Sequence, residues 1–219
     1  MRLFRLLLPP ITFLATTVAA LSAGERVLVN LNAGWRFALG DVPRATEPGL
    51  DDQAWQAIEL PHTWNGLDGE DGGNDYHRGP GWYRRHFTPD ASLAGKRLYL
   101  QFDGACLMAD VYVNGVHLGN HKGGFARFRL DATDALHPGV DNEISVRVDN
   151  GKLGIPPTDS DFTICGGLYR SVWLLATDPV GAHVHRRHLD GVFVEQHAVS
   201  AESASFVVRA ELENHGGAP

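Results

Sequence analysis

The acid in this sequence whose neighbours most suggest chemistry is Asp161. Residues 160–175 read SDFTICGGLYRSVWLL. Asp161 is followed by an aromatic, Phe162, and then by the pair Gly166-Gly167. Glycines permit backbone angles that other residues resist, or the close approach of another segment. Residues 168–175 carry large apolar side chains on both faces of an expected strand, and such a strand is covered on both sides. Asp161 therefore sits on a loop pinned to a buried strand, where binding groups tend to be placed. A plainer role fits the same residues, because Asp often does no more than cap a turn.

Other reactive types are scattered. Residues 66–81, GLDGEDGGNDYHRGPG, hold Asp68, Glu70, Asp71 and Asp75 among glycines. Alternating acids and glycines raise a calcium site, but the spacing and closing Glu of an EF-hand are missing. Cys106 and Cys165 are the only cysteines, and none of the 11 histidines has zinc-ligand spacing with them. The two could pair in an oxidising compartment, provided their Cα atoms come close; two buried free thiols are the expected state. Neither a metal nor a cofactor is expected. Asp103 and Asp110 lie inside strand patterns that explain them as sheet residues, so they are set aside as catalytic carboxylates. His62 and Trp64 could touch a substrate, but the habits of buried His and Trp favour locking their own loop. The sequence has neither a G-x-S-x-G elbow nor a Gly-rich phosphate loop.

The elements that must hold these groups read as strands. In residues 96–102, Leu98, Leu100 and Phe102 face one way and Arg97, Tyr99 and Gln101 the other. Ile144, Val146 and Val148 share a face in the same manner, as do Trp35 and Phe37. Asn114-Gly115 is a strong hairpin signal. Residues 131–136 read as one capped helical turn, with Asp131 or Thr133 as N-cap. Many short apolar stretches, with 25 Gly and 12 Pro to punctuate them, predict an all-β sandwich without the helical alternation of a parallel sheet. After Asp178-Pro179 come three more strands, at 181–187, 191–195 and 205–212, with Phe206, Val208, Ala210 and Leu212 on one face. Three strands leave an apolar face and open edges, so the chain is expected to belong to a longer one.

Residues 1–23 stand apart. Arg2 and Arg5 precede an apolar run that Pro9-Pro10 interrupts, and small residues close it at Ala20-Leu21-Ser22-Ala23. That is the pattern of a secretory signal peptide, so export to a periplasm or beyond is expected. A transmembrane helix needs about 20 apolar residues without such breaks. The net charge of −7 becomes more negative by two when Arg2 and Arg5 leave. Nucleic acid and anionic membranes are poor partners for that charge.

Several strings resemble glycoside hydrolase family 2, the family of β-galactosidases, β-glucuronidases and β-mannosidases. They are Asp161-Phe162 with residues 167–172 (GLYRSV), an early Trp-x-Phe at Trp35 and Phe37, residues 60–65 (LPHTWN), residues 76–85 (YHRGPGWYRR), and residues 102–105 (FDGA) with 109–115 (ADVYVNG). They occur in the expected order over residues 28–177. The resemblance implies a galactose-binding-like jelly roll over residues 24–178, then an incomplete immunoglobulin-like sandwich over 179–219. It implies that Asp161 hydrogen-bonds the terminal sugar. Some members place a sugar-binding Asn near residue 78; here Arg78 stands there and becomes the second candidate ligand. The catalytic carboxylates of the family are glutamates on a later barrel, expected C-terminal in the same chain, and no catalytic residue is expected here. The whole protein is expected to be a retaining β-glycosidase acting on a carbohydrate, with β-galactosidase as the expected type. Members often associate, which makes a homo-oligomer a further expectation. A free-standing carbohydrate-binding module is the competing reading, with Tyr76, Trp82 and Phe162 as its aromatic candidates.

Overall fold

The alternating segments pair into two antiparallel sheets that share one core. The computed structural model describes residues 26–67, 76–151, 154–155, 165–184 and 191–217. The larger sheet runs in the order β3 (Gln56–Ile58), β2 (Trp35–Leu39), β4 (Pro80–Phe87), β9 (Asn142–Asp149), β6 (Met108–Val113) and β7 (Val116–Lys122). The smaller one runs β1 (Val27–Asn30), β10 (Val172–Thr177), β5 (Arg97–Phe102) and β8 (Phe128–Asp131). Leu98, Leu100 and Phe102 of the smaller sheet meet Val111, Val113, Ile144, Val146 and Val148 of the larger in one buried cluster. The chain is thus all-β and sandwich-like, as the alternation predicts. Asn114 and Gly115 take φ of 50° and 81° in the β6–β7 hairpin, the positive values that this turn requires.

The strand behind Gly166-Gly167 is shorter than expected at its start. It begins at Val172 rather than at Leu168. Gly167 has φ +114° and pairs in an isolated bridge with Cys106. The Leu168 carbonyl accepts from the His62 amide at 2.9 Å. Both residues spend backbone groups on neighbouring loops, which keeps them out of the sheet ladder. Within β10 the two-faced burial does occur. Val172 and Leu174 enter the main core, while Leu175 packs with Tyr99 and Val184 in a second cluster on the other face.

Asp131 caps the turn that follows β8. Its Oδ1 accepts from the Thr133 amide at 3.0 Å, and the Ala135 and Leu136 amides both reach the Ala132 carbonyl. Beyond the sandwich, β11 (Val180–Ala182) pairs with β14 (Leu212–Asn214), and β12 (Val192–Val199) pairs with β13 (Ala204–Ala210). Leu212 does not continue the face of Phe206, Val208 and Ala210. The Glu211 amide donates to the Gly191 carbonyl at 2.7 Å, and the chain leaves that ribbon so that Leu212 lies opposite Ala182. Val192, Val194, Phe206 and Val208 are exposed.

The outer face of the larger sheet is closed by a charge. Arg84 of β4 is fully buried. Its guanidinium meets Asp52 Oδ2 at 3.0 Å and Glu143 Oε2 at 2.5 Å, and donates to the Ala45 carbonyl at 2.6 Å and to Ser145 Oγ at 3.2 Å. This ties residues 45–52 down over the sheet. Removing one partner of a buried ion pair leaves the other charge uncompensated, at about 3–5 kcal/mol. Arg84→Ala is expected to lower stability by that amount in urea unfolding, with Arg84→Lys recovering only part because it lacks the planar fork. A loss near that of an exposed pair, under about 1 kcal/mol, would show that Asp52 and Glu143 do not depend on Arg84.

Candidate functional site

The loop between β3 and β4 and the segment between β9 and β10 meet at one end of the sandwich, and an aromatic cluster holds them. Trp64 stacks on Phe37 with ring centroids 5.8 Å apart and lies edge-on to His77 at 6.1 Å. His62 packs on Phe37 at 4.7 Å, and its Nδ1 is 2.8 Å from the Tyr83 hydroxyl. His62 and Trp64 therefore lock their own loop, the role expected of them.

Gly166-Gly167 close on this cluster. A Cβ on Gly166 would stand 2.1 Å from Trp64 Cε2. One on Gly167 would stand 2.3 Å from the Tyr83 hydroxyl and 2.8 Å from the His62 carbonyl. Gly81 is equally confined, 2.7 Å from the Trp64 ring and 2.9 Å from Phe37. The glycines are needed here for close approach, and Gly167, at φ +114°, for its backbone angle as well. Burial lowers the His62 pKa, so its ring is neutral at neutral pH. Burial pushes the Tyr83 hydroxyl far above its usual range, so it keeps its proton.

Asp161 itself lies outside the described residues, as do Phe162 and the acids Asp68, Glu70, Asp71 and Asp75. On the C-terminal side of Asp161, description resumes at Cys165, directly before the confined glycines. Arg78 lies at the same loop end. Its Nε donates to the Asn150 carbonyl at 3.1 Å, which among the described residues leaves the two terminal guanidinium nitrogens for other acceptors. Around it, Asn150 Nδ2 donates to Asn65 Oδ1 at 3.0 Å, Asn65 Nδ2 donates to the His77 carbonyl at 3.1 Å, and the Gly79 amide donates to Asn150 Oδ1 at 2.9 Å. Asn65 and Asn150 are both buried and were not singled out from sequence. Their signal, two asparagines 85 positions apart, is invisible without the fold.

Asp110 lies in β6, whereas Asp103, expected inside a strand, stands one residue beyond the end of β5 and is fixed by its side-chain bonds. Asp103 accepts from Arg127 Nε at 2.7 Å, Trp173 Nε1 at 2.8 Å and Gln101 Nε2 at 3.1 Å. Asp110 faces His117 Nε2 at 3.4 Å across the hairpin. Beside Asp103 lies an open groove of about 530 Å³ lined by Phe125, Arg127, Tyr169 and Arg170. Of the aromatic candidates for a binding-module platform, Trp82 is buried and donates to Asp41 Oδ1 at 3.0 Å, so its face is not available for stacking on a sugar. Tyr76 is half-buried and packs against Cys106 and Leu107. Among the described residues, no three His, Cys, Asp or Glu side chains are grouped to hold a metal ion.

Comparison with known proteins bears on what this loop end serves. The family profile for glycosyl hydrolases family 2, sugar binding domain, matches residues 28–179. A beta-glucuronidase of Bacteroides fragilis is 35% identical over 210 residues, which is 93% of this chain and 28% of that protein. A beta-galactosidase of Bacteroides ovatus is 38% identical over 159 residues, 69% of this chain and 18% of that protein. The crystal structure of Bacteroides uniformis beta-glucuronidase superposes with a TM-score of 0.82 at 36% identity, covering 87% of this chain and 22% of that one. The chain thus spans less than a third of the length of these relatives.

The fit of Gly166 against Trp64 yields a direct test. Overpacking a confined site costs about 1–3 kcal/mol. Gly166→Ala is expected to lose that much stability, and Gly166→Ala combined with Trp64→Leu to lose less than the sum of the two single changes. Additivity in chemical unfolding would show that the two residues do not press on each other.

Proposed function

The chain belongs to glycoside hydrolase family 2, and from that premise we propose that the whole protein hydrolyses terminal β-glycosides with retention of configuration. The observation that carries this reading is the match of residues 28–179 to the family's sugar-binding domain, with identity of 35–38% to named β-glycosidases. Retaining hydrolysis uses two carboxyl groups about 5–5.5 Å apart. In this reading they come from a barrel elsewhere in the full protein, and the present segment supplies a wall of the sugar pocket. Asp161 contributes hydrogen bonds to hydroxyls of the terminal sugar, and Arg78 a cationic donor near them. Such bonds can tighten towards the transition state and so raise kcat as well as lower KM. Residues 1–23 act as a signal peptide in this proposal, and the protein works after export.

For the sugar, we favour a β-glucuronide. The beta-glucuronidases of Bacteroides fragilis and Bacteroides uniformis support it, since they match this chain over 93% and 87% of its length. An Arg at position 78 also suits a substrate that carries a carboxylate. A β-galactoside, the type expected from sequence, is the second reading, and the Bacteroides ovatus beta-galactosidase favours it.

The experiment is hydrolysis of aryl β-glucuronide and aryl β-galactoside by the full protein and by its Asp161→Ala variant. The expected result is a kcat/KM ratio favouring the glucuronide, and a loss of about 10-fold or more in the variant, the scale of one charge-assisted hydrogen bond. A preference for the galactoside would replace the first reading by the second. A variant with unchanged kinetics would remove Asp161 from the site. A full protein that binds sugar and hydrolyses neither substrate would favour a binding module.

A further inference from the structure

Two thiols meet at the loop end, and the glycosidase reading uses neither. Cys106 lies between β5 and β6 and is fully buried. Cys165 is half-buried, directly before Gly166-Gly167. The two segments are joined as an antiparallel bridge: the Cys106 amide donates to the Gly167 carbonyl at 3.1 Å, and the Gly167 amide donates to the Cys106 carbonyl at 3.3 Å. The side chains of Cys106 and Cys165 pack in one cluster with Leu107, Tyr76 and Tyr169. Gly124 closes the far side of Cys106, since a Cβ there would stand 2.9 Å from Sγ. The Cys106 side chain is thus confined on the Gly124 side and has Cys165 within its own cluster.

The electrostatics divide the labour. The Cys165 thiol is held below its ordinary pKa by the Cys106 thiol, which offers it a proton, and by the Arg170 charge. The Cys106 thiol is pushed up by Cys165 and by burial. The more exposed sulfur is also the better thiolate, the combination that marks a reactive cysteine.

We propose that Cys106 and Cys165 form a reversible dithiol–disulfide site, with Cys165 as the attacking thiol and Cys106 as the resolving one. The oxidant is a low-molecular-weight disulfide. The Cys165 thiolate attacks one of its sulfurs, the S–S bond breaks, and one thiolate departs with an electron pair. The mixed disulfide on Cys165 is then attacked by Cys106 as its proton leaves for solvent, and the second thiolate departs. The pair loses two electrons and the oxidant gains them, ending as two thiols. The product ties the chain four positions beyond Asp161 to the β5–β6 connection. Closing a long loop in this way restricts the unfolded chain and fixes the segment in the folded one. The proposal stands on the geometry of this segment and does not depend on which sugar the protein cleaves.

The test uses the full protein, reduced and then exposed to oxidised glutathione, with free thiols alkylated after acid quenching and peptides mapped by mass spectrometry. The expected product is a Cys106–Cys165 linked peptide that disappears when reductant is added first. Cys106→Ser should stop at glutathione on Cys165, whereas folded Cys165→Ser should leave Cys106 unmodified. Both cysteines fully alkylated in the oxidised parent protein would overturn the proposal, whatever the folding of the variants. Glutathione on Cys106 in folded Cys165→Ser would overturn the assigned order of attack.

Discussion

The Trp64 ring occupies the space that a side chain at Gly166 would need, and the loop end is arranged around that contact. Trp64 also excludes a side chain from Gly81, and it stacks on Phe37 of β2. Tyr83 does the same to Gly167 while holding His62. Strands β2 and β4, the loop after β3 and the segment before β10 therefore meet in one packed unit. Each aromatic pair adds about 0.5–1.5 kcal/mol beyond its burial, whereas a typical hydrogen bond nets about 0.5–1.5 kcal/mol in all. Backbone bonds from His62 to Leu168 and between Cys106 and Gly167 then seat the segment before β10 against this ring cluster.

The polar networks play a different part. Arg84 is sealed between Asp52 and Glu143, so its value lies mostly in the cost of breaking it. Asp103 holds a partly open network, since its partner Arg127 is exposed, and pairs of that kind contribute little to stability. What Asp103 does is align Gln101, Arg127 and Trp173 across the outer face of the smaller sheet. Three donors already meet its two oxygens, which makes it a poor candidate for proton transfer.

Period-two alternation was sufficient to read the sandwich. Leu98, Leu100 and Phe102 face the core, as do Ile144, Val146 and Val148, because side-chain direction in a strand is a local property. The start of β10 was not legible. Leu168 is as apolar as the residues after it, but its carbonyl is claimed by His62, 106 positions earlier. Leu212 departs from its expected face for a similar reason, through the backbone bond from Glu211 to Gly191. The site shows the same division. Gly166-Gly167 announced a close approach, yet which ring approached depended on the fold. The pairing of Asn65 with Asn150, whose carbonyl holds Arg78, has no sequence signal, although Asn65 itself closes the LPHTWN string. Trp82, read as a possible platform, is buried, and its indole nitrogen donates to Asp41.

The protonation states at the loop end say what kind of contribution this segment makes. Glycoside hydrolysis needs one carboxyl that can donate a proton and another that is ionised, set to either side of the scissile bond. His62 is kept neutral by burial and its Nδ1 is engaged by Tyr83. Tyr83 keeps its proton far above neutral pH. Asp149, the buried acid nearest Asn150 in the chain, accepts from the Gly151 amide at 2.8 Å and meets Arg147 at 3.2 Å. These groups are engaged in holding backbone and rings. A loop end packed in this way is built for rigidity, which suits the sugar-binding domain that residues 28–179 match.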